Sequence, residues 1–173
     1  SYRILPAPHF LIINSKIILS NSKSKKTIAK IKNLKIFLDQ VNFFNKEKIN
    51  ITEIIINNAN FSLLRNDLKM LNNSSNHKFS DKKIKINKSS VFFKNDLDEI
   101  ITIIEINKSN FFFNNKKIQN QFELEGNIFA IPFTFKLKTK NDLIMEKEFL
   151  FKNKTLNLDI FNKYITKKDK SIT

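Results

Sequence analysis

"IKINKSSVFFKN" at residues 84–95 and "IEINKSNFFFNN" at residues 104–115 are two copies of one phrase. The copies begin twenty positions apart, and eight of their twelve positions are identical. In the first copy, Ile84 and Ile86 have even numbers, whereas the main apolar residues after the Asn have odd numbers. Because side chains alternate between the two faces of a strand, this change of parity marks either a four-residue hairpin turn or a bulged bend at "NKSS". The residues alone leave both alternatives open.

The same two-residue alternation continues outside the repeat. Residues 122–128 place apolar side chains at even positions, and residues 131–137 place them at odd positions. The parity changes close to Pro132, which predicts two antiparallel strands joined by a tight connection. Shorter runs of alternation lie at residues 34–38, 49–63, 149–151 and 156–160.

Asparagine takes the place that glycine has in most β-proteins. Gly126 is the one glycine of the chain, whereas Asn flanks most of the alternating segments. Looser copies of the repeated phrase, at residues 12–21 and 55–66, also place Asn between two apolar stretches. Because Asn tolerates the left-handed backbone region better than most residues, we expect these Asn residues at bends. The phrase then reads as strand, Asn corner, strand.

These patterns predict an all-β fold: a curved, strongly twisted antiparallel sheet of about nine to eleven strands, with consecutive strands adjacent because the connections look short. One or two short helical turns are expected, at residues 38–46 and 65–73. The 173 residues form a single domain, and the polar loop 72–83 separates its halves, 1–71 and 84–173. The sequence starts with Ser1, so we expect a fragment of a longer chain.

The charge of the chain is strongly basic. Thirty-one Lys and Arg against sixteen Asp and Glu give a formal net charge of +15 at pH 7. Such a charge favours nucleic acid or an anionic membrane surface as a partner. However, Lys, Asn, Ile and Phe dominate the composition, as they do in proteins of AT-rich genomes. Arg, whose fork-shaped side chain suits base recognition, occurs only twice.

Residues that carry chemistry are few. The chain has no cysteine, and a single glycine cannot build a phosphate-cradling loop. His9 and His77 have no spacing of a ligand pair. The carboxylates of the "NDLDE" segment at residues 95–99 favour a solvated turn, and Glu123 and Glu125 favour the polar side of a strand. We therefore expect a non-enzymatic protein without a metal or cofactor.

No segment of the sequence resembles a membrane span or a signal peptide. The longest apolar runs are far shorter than the roughly 18 residues that a span requires. Pro6 and Pro8 lie where a signal peptide would have its apolar region. If the protein is anchored, we expect the anchoring segment before Ser1.

The order of several segments resembles the opening of an AsmA-family domain, over about residues 4–140. That family has a Pro–x–Pro–x–apolar entry strand, an amphipathic strand, and then strands that lead into a loop. Later segments resemble the family's Asn-containing strands and its strand with a central Gly. The matching segments are "LPAPHFLIINSKIIL", "IAKIKNLKIFLDQVNFF", "INITEIIINNANFSLLRND", "IKINKSSVFFKND" and "QFELEGNIFAIPFTFKLK". The family's usual Gly after Asn is replaced here by Lys88 and Lys108.

The resemblance implies a periplasmic protein of a Gram-negative cell, held by an inner-membrane helix that is not in this sequence. In such proteins, which include TamB and the eukaryotic bridge-like lipid carriers, a long β-groove carries phospholipid toward the outer membrane and serves outer-membrane biogenesis. The expected partners are phospholipid acyl chains, the membrane through a segment outside this sequence, and other envelope proteins. Which strand parity faces the groove is left open. The residues expected to line the groove are Ile84, Ile86, Val91, Phe93, Phe111, Phe113, Phe122, Leu124, Phe133, Phe135 and Leu137.

Three alternatives compete with the groove. The net charge favours a nucleic-acid-binding β-domain, whose binding would weaken steeply with salt. A structural scaffold for outer-membrane protein assembly would need no lipid. The apolar faces could also belong to the closed core of a β-sandwich, because strands that are apolar on one face require a covering layer.

Overall fold

The computed structural model describes residues 2–3, 7–21, 24–39, 49–64, 67, 77–141 and 144–167. The helical turns expected at 38–46 and 65–73 lie almost entirely outside these residues. The described part of the chain is nearly all strand, so the expected all-β fold is confirmed. The strands are β1 (Tyr2–Arg3), β2 (His9–Asn21), β3 (Ser24–Leu38), β4 (Ile51–Leu64), β5 (Lys83–Lys94), β6 (Ile100–Asn114), β7 (Gln119–Ile128), β8 (Ile131–Asn141), β9 (Ile144–Asn153) and β10 (Leu158–Lys167).

All ten strands form one curled, open sheet in the order of the chain, from β1 to β10. This order confirms that consecutive strands are neighbours. Every neighbouring pair is antiparallel except β4 and β5, which are parallel. The expectations of antiparallel pairing and of short connections are wrong at this one place. A parallel pair requires the chain to return to the same end of the sheet, so β4 and β5 need a longer crossover connection, residues 65–82, of which 67 and 77–82 are described.

The repeated phrase is a bulged bend and not a hairpin, because β5 and β6 each continue through it. Lys88 has a left-handed backbone with φ of 48° in the middle of β5. In β6 the pairing register with β7 shifts between Ile106 and Lys108, so Asn107 is the extra residue. Asn14 in β2 and Asn58 in β4 also have φ near 55°. The expected role of Asn at bends is therefore confirmed at these two positions, while Lys fills the same role in β5.

The side chain of Ser89 satisfies the backbone at this bend. Its Oγ accepts a hydrogen bond from the Ala59 N–H at 3.0 Å and donates one to the Asn87 carbonyl at 2.8 Å. The Asn87 amide also donates to Asn57 Oδ1 on β4, at 3.0 Å. The Asn–Lys–Ser sequence thus turns the strand and provides hydrogen-bond partners at the turned segment.

The predicted tight connection near Pro132 is confirmed. Phe129 and Ala130 form a two-residue turn between β7 and β8, in which Ile128 pairs with Ile131. Both turn residues have positive φ, 52° and 61°, which is the geometry that Asn-Gly usually provides. Gly126 lies three residues before this turn, where a Cβ would come within 2.0 Å of the Glu105 carbonyl oxygen. The close approach of β6 to β7 at the bulge therefore requires glycine.

Candidate functional site

One face of the sheet is apolar from β2 to β10, and strand pairing defines it. The regular strand β7 serves as the reference, because its side chains at positions 122, 124, 126 and 128 alternate without interruption. These residues pair with Phe111, Ser109, Ile106 and Ile104 of β6. The two halves of β6 on either side of the bulge therefore present their apolar residues on the same face. We call this face the apolar face and the opposite one the polar face.

All the residues expected to line a groove lie on the apolar face. In β5, Ile84 pairs with Phe111 and Val91 pairs with Ile104, so the bend keeps both halves of this strand on the same side. In β8, Leu137 pairs with Phe122 and Phe133 pairs with Gly126. The full set brought together is Ile84, Ile86, Val91, Phe93, Phe111, Phe113, Phe122, Leu124, Phe133, Phe135 and Leu137.

The apolar face also contains residues that the sequence did not assign to a site. The parallel register of β4 and β5 places Ile54 beside Ile84 and Leu63 beside Phe93. The same two-residue alternation of apolar side chains marked these residues in the sequence. However, the parity changes at each bend, so the sequence alone did not show which residues of successive strands share a face. The additional apolar members include Phe10, Ile12, Ile17, Leu34, Ile36, Ile54, Ile56, Phe61, Leu63, Phe149, Phe151, Leu158 and Ile160.

No described element forms a second layer over this face, since extensive contacts join only strands that are neighbours in the sheet. In the middle of the sheet, Ile106 and Phe133 are nevertheless 6% and 8% exposed. Toward the two edges the face opens, and Phe10 and Ile160 are 45% and 42% exposed. Apolar side chains on the same face shield one another. For example, the rings of Phe133 and Phe151 stack with centroids 5.6 Å apart.

The end of the crossover lies against this face near β6 and β7. The ring of Phe79 meets that of Phe111 edge-on at 6.1 Å, and the Lys78 ammonium lies 4.3 Å from the centroid of Phe113. Buried Asn120 holds this segment, because its Oδ1 accepts from the Phe79 N–H at 2.8 Å and its amide donates to the His77 carbonyl at 2.8 Å. Residues 77–79, at the end of the crossover, therefore cover one corner of the apolar face.

Most charged side chains of β7 to β10 lie on the polar face, as the sequence predicted for Glu123 and Glu125, which are both exposed. Lys163 of β10 pairs with Glu146 and with Glu148. The hydrogen bond from Lys163 lowers the pKa of Glu146, and the hydrogen bonds to both carboxylates raise the pKa of Lys163.

Two other sequence predictions have clear structural outcomes. The "NDLDE" segment is an exposed turn between β5 and β6, where the Asn95 side chain accepts from the backbone N–H groups of Leu97 and Glu99. His9 is buried, its Nδ1–H donates to the Ala7 carbonyl at 2.7 Å, and its ring stacks on Phe37 with centroids 4.9 Å apart. His9 thus has a packing role.

The described residues meet neither the requirements of a metal site nor those of a membrane-spanning helix. Within the described residues, no group of three or more His, Asp or Glu side chains could hold a metal ion. The same residues include no helix that is long and apolar enough to cross a bilayer. An open face of this kind gains about 25 cal/mol for each Å² of apolar surface removed from water.

Fold and face together define a class: an open antiparallel sheet with one parallel pair, apolar on one side and charged on the other. Among protein-family models, none matches the chain. Curated proteins likewise include no match. The resemblance to the AsmA family therefore stays a prediction.

Proposed function

We propose that this protein is a non-enzymatic component of the cell envelope, whose apolar face forms part of a groove for phospholipid acyl chains moving between the inner and outer membranes. One observation carries the proposal: the apolar face is continuous over nine strands, and among the described residues only the end of the crossover lies over it. Water-exposed apolar surface on this scale is rare in proteins that have no apolar partner.

The dimensions of the face suit an acyl chain. Neighbouring strands lie about 4.8 Å apart, so the eight steps from β2 to β10 give a face roughly 38 Å wide along its surface. The hydrocarbon core of a whole bilayer is about 30 Å thick, so one leaflet's acyl chain is shorter than this width. Each CH₂ group that is buried contributes about 0.8 kcal/mol to the free energy of binding. Contact with only part of an acyl chain therefore already stabilises the complex.

A closed β-sandwich core is the reading that this proposal replaces. A sandwich requires a second sheet about 10 Å from the first, facing its apolar side. All described strands belong instead to a single sheet. The apolar residues near its edges, such as Phe10 and Leu158, are 45% and 40% exposed.

Photo-crosslinking tests the proposal, with p-benzoyl-phenylalanine placed at Phe135 on the apolar face. Phe161 of β10 is the matched control, because it is a phenylalanine on the polar face and is 64% exposed. With phosphatidylethanolamine and phosphatidylglycerol vesicles present, we expect lipid adducts at position 135 and few or none at position 161. Equal labelling at the two positions, or labelling at 161 alone, would contradict the proposal.

The proposal also includes a location, the periplasm, with anchorage to the inner membrane through a segment outside this sequence. Support comes from the family resemblance of residues 4–140 and from the apolar face. In a Gram-negative host expressing the full gene, we expect the domain to be digested by protease added to spheroplasts. Protection in intact spheroplasts, with digestion only after lysis, would contradict this location.

A further inference from the structure

The charges of the polar face are divided unevenly between the two halves of the sheet. In β7–β10, lysines and carboxylates alternate across strands and form ion pairs, such as Lys136 with Glu123 and Lys163 with Glu148. In residues 9–38, which contain β2 and β3, there are seven lysines and no Asp or Glu. The excess positive charge of the protein is therefore concentrated on the first strands.

The bends create depressions on this basic half of the polar face. One, of about 390 Å³, is lined by Lys16, Lys30, Lys32 and Asn58 among other residues. A second, of about 590 Å³, is lined by Asn and Lys side chains that include Lys88 and Lys108. No described residue that lines either depression carries a carboxylate, although Glu125 pairs across the strands with Lys108.

Repulsion among these lysines is not relieved by any ion pair in the described part of the chain. Lys16 and Lys30 lie directly opposite each other on β2 and β3, an arrangement that destabilises a sheet. None of the ion pairs in the described part of the chain includes Lys16, Lys30 or Lys32. An external anion would relieve this repulsion.

Exposed aliphatic side chains lie beside these charges. On the polar face of β2, Ile13 and Ile18 flank Lys16 and are 58% and 53% exposed. Strand β2 is also close to an edge of the sheet, since β1 pairs only with His9 and Phe10. Lysines next to exposed aliphatic residues are the combination that binds the interface of an anionic bilayer.

We propose that the basic half of the polar face docks on an anionic phospholipid bilayer, with Lys16, Lys30 and Lys32 at headgroup phosphates and with Ile13 and Ile18 entering the interface. Nucleic acid fits this surface less well. Lys lacks the bidentate fork of Arg, and the described polar side of β2 and β3 has no exposed aromatic residue on which a base could stack. The apolar face stays free in this orientation, so docking and acyl-chain binding are separate properties.

Vesicle co-sedimentation tests the docking surface. The Lys16→Gln/Lys30→Gln/Lys32→Gln variant is compared with Lys136→Gln/Lys138→Gln/Lys140→Gln, which removes the same charge from β8 on the same face. Each lysine contributes about fivefold to binding near an anionic surface, so the first variant should lose affinity on the order of a hundredfold for vesicles containing phosphatidylglycerol. The second variant should lose less than tenfold, and vesicles of phosphatidylcholine alone should bind neither.

Equal losses in the two triple variants would overturn the proposal, because binding would then follow net charge alone. Tight binding to a single-stranded oligonucleotide that also depends on Lys16, Lys30 and Lys32, without vesicle binding, would assign the surface to nucleic acid instead.

Circular dichroism melts should show that the first variant is at least as stable as the wild type, since a like-charge pair is removed. Ile13→Ser/Ile18→Ser should also weaken vesicle binding. The crosslinking at position 135 is unaffected by any of these results.

Discussion

Replacing Ser89 by Ala should destabilise the protein, whereas replacing Ser109 by Ala should not, although both occupy the same place in the repeated phrase. Ser89 Oγ accepts the N–H of Ala59, a residue that is 0% exposed, at 3.0 Å. Ser109 is equally buried, at 1% exposed, but its Oγ has no hydrogen-bond partner within the described structure. The two substitutions therefore remove the same atom from opposite hydrogen-bonding situations.

The expected magnitudes follow from this difference. Ser89→Ala leaves the buried Ala59 N–H without a partner, at a cost of about 1–3 kcal/mol. Ser109→Ala removes a buried hydroxyl that gains nothing from its surroundings, and its effect should lie between neutral and a stabilisation of about 1 kcal/mol. For a domain of this size, 1 kcal/mol shifts the Tm by roughly 2–4 °C.

Urea denaturation followed by circular dichroism measures both free energies of unfolding. Amide hydrogen exchange should in addition show faster exchange at Ala59 in Ser89→Ala and no change there in Ser109→Ala. Equal destabilisation by the two variants would refute the hydrogen-bonding account of the bend. So would a neutral Ser89→Ala with unchanged protection of Ala59.

Three further predictions concern the turn, the glycine and the crossover. Gly126→Ala should destabilise by about 3 kcal/mol in urea denaturation, because its Cβ would clash with the Glu105 carbonyl oxygen; a neutral effect would contradict the close approach. Phe129→Asn/Ala130→Gly should stabilise by about 1–2 kcal/mol in the same assay, because both positions have positive φ; no gain would show that the turn is unstrained. Burial raises the pKa of Asp67, but hydrogen bonds from Lys26 Nζ at 2.5 Å and from the Leu64 N–H at 2.7 Å outweigh it and lower the pKa below its usual range. The carboxylate therefore stabilises the fold above an ordinary aspartate pKa of about 3.9 and loses this effect as the pH falls through the lowered value. Wild type should exceed Asp67→Asn in Tm at neutral pH, with the gap closing below about pH 4; a constant gap would count against the pair.

The sequence predicted the strands well because alternation depends only on which face each side chain takes. It could not distinguish a hairpin from a bend at residues 87–90, because either one reverses the parity. The deciding contacts, such as the Ser89 hydroxyl on the Ala59 N–H, join strands that are thirty residues apart.

The parallel pairing of β4 and β5 was also not predicted, although the repeats carried a signal for it. The described part of the looser copy, residues 55–64, lies beside the first copy in matched register, with Ile56 next to Ile86 and Asn57 next to Asn87. Similar phrases with similar bends can pair side by side in the same direction. Sequence alternation cannot give this direction, because it is the same for parallel and antiparallel strands.

The position of the candidate site was predictable in part. Phe93 and Phe113, which occupy the same place in the two copies of the phrase, lie on the same face of neighbouring strands. Phe112, between Phe111 and Phe113, lies on the polar face, where the Lys83 ammonium is 5.6 Å from its ring centroid. This contact explains why an apolar residue occupies the polar face. Because Phe112 interrupts the alternation of apolar and polar residues, the two faces were hard to distinguish from the sequence.

The most direct test of the lipid groove is the Phe93→Asp variant, with melting temperature and co-purifying phospholipid measured on the same sample. Phe93 is half-buried on a face without a described covering layer, so water can reach a carboxylate there when no lipid is bound. The account predicts a Tm within a few degrees of wild type, a strong loss of bound phospholipid, and no change in either quantity for the polar-face control Phe161→Asp. Global unfolding of Phe93→Asp, or a folded variant that retains its phospholipid, would contradict it.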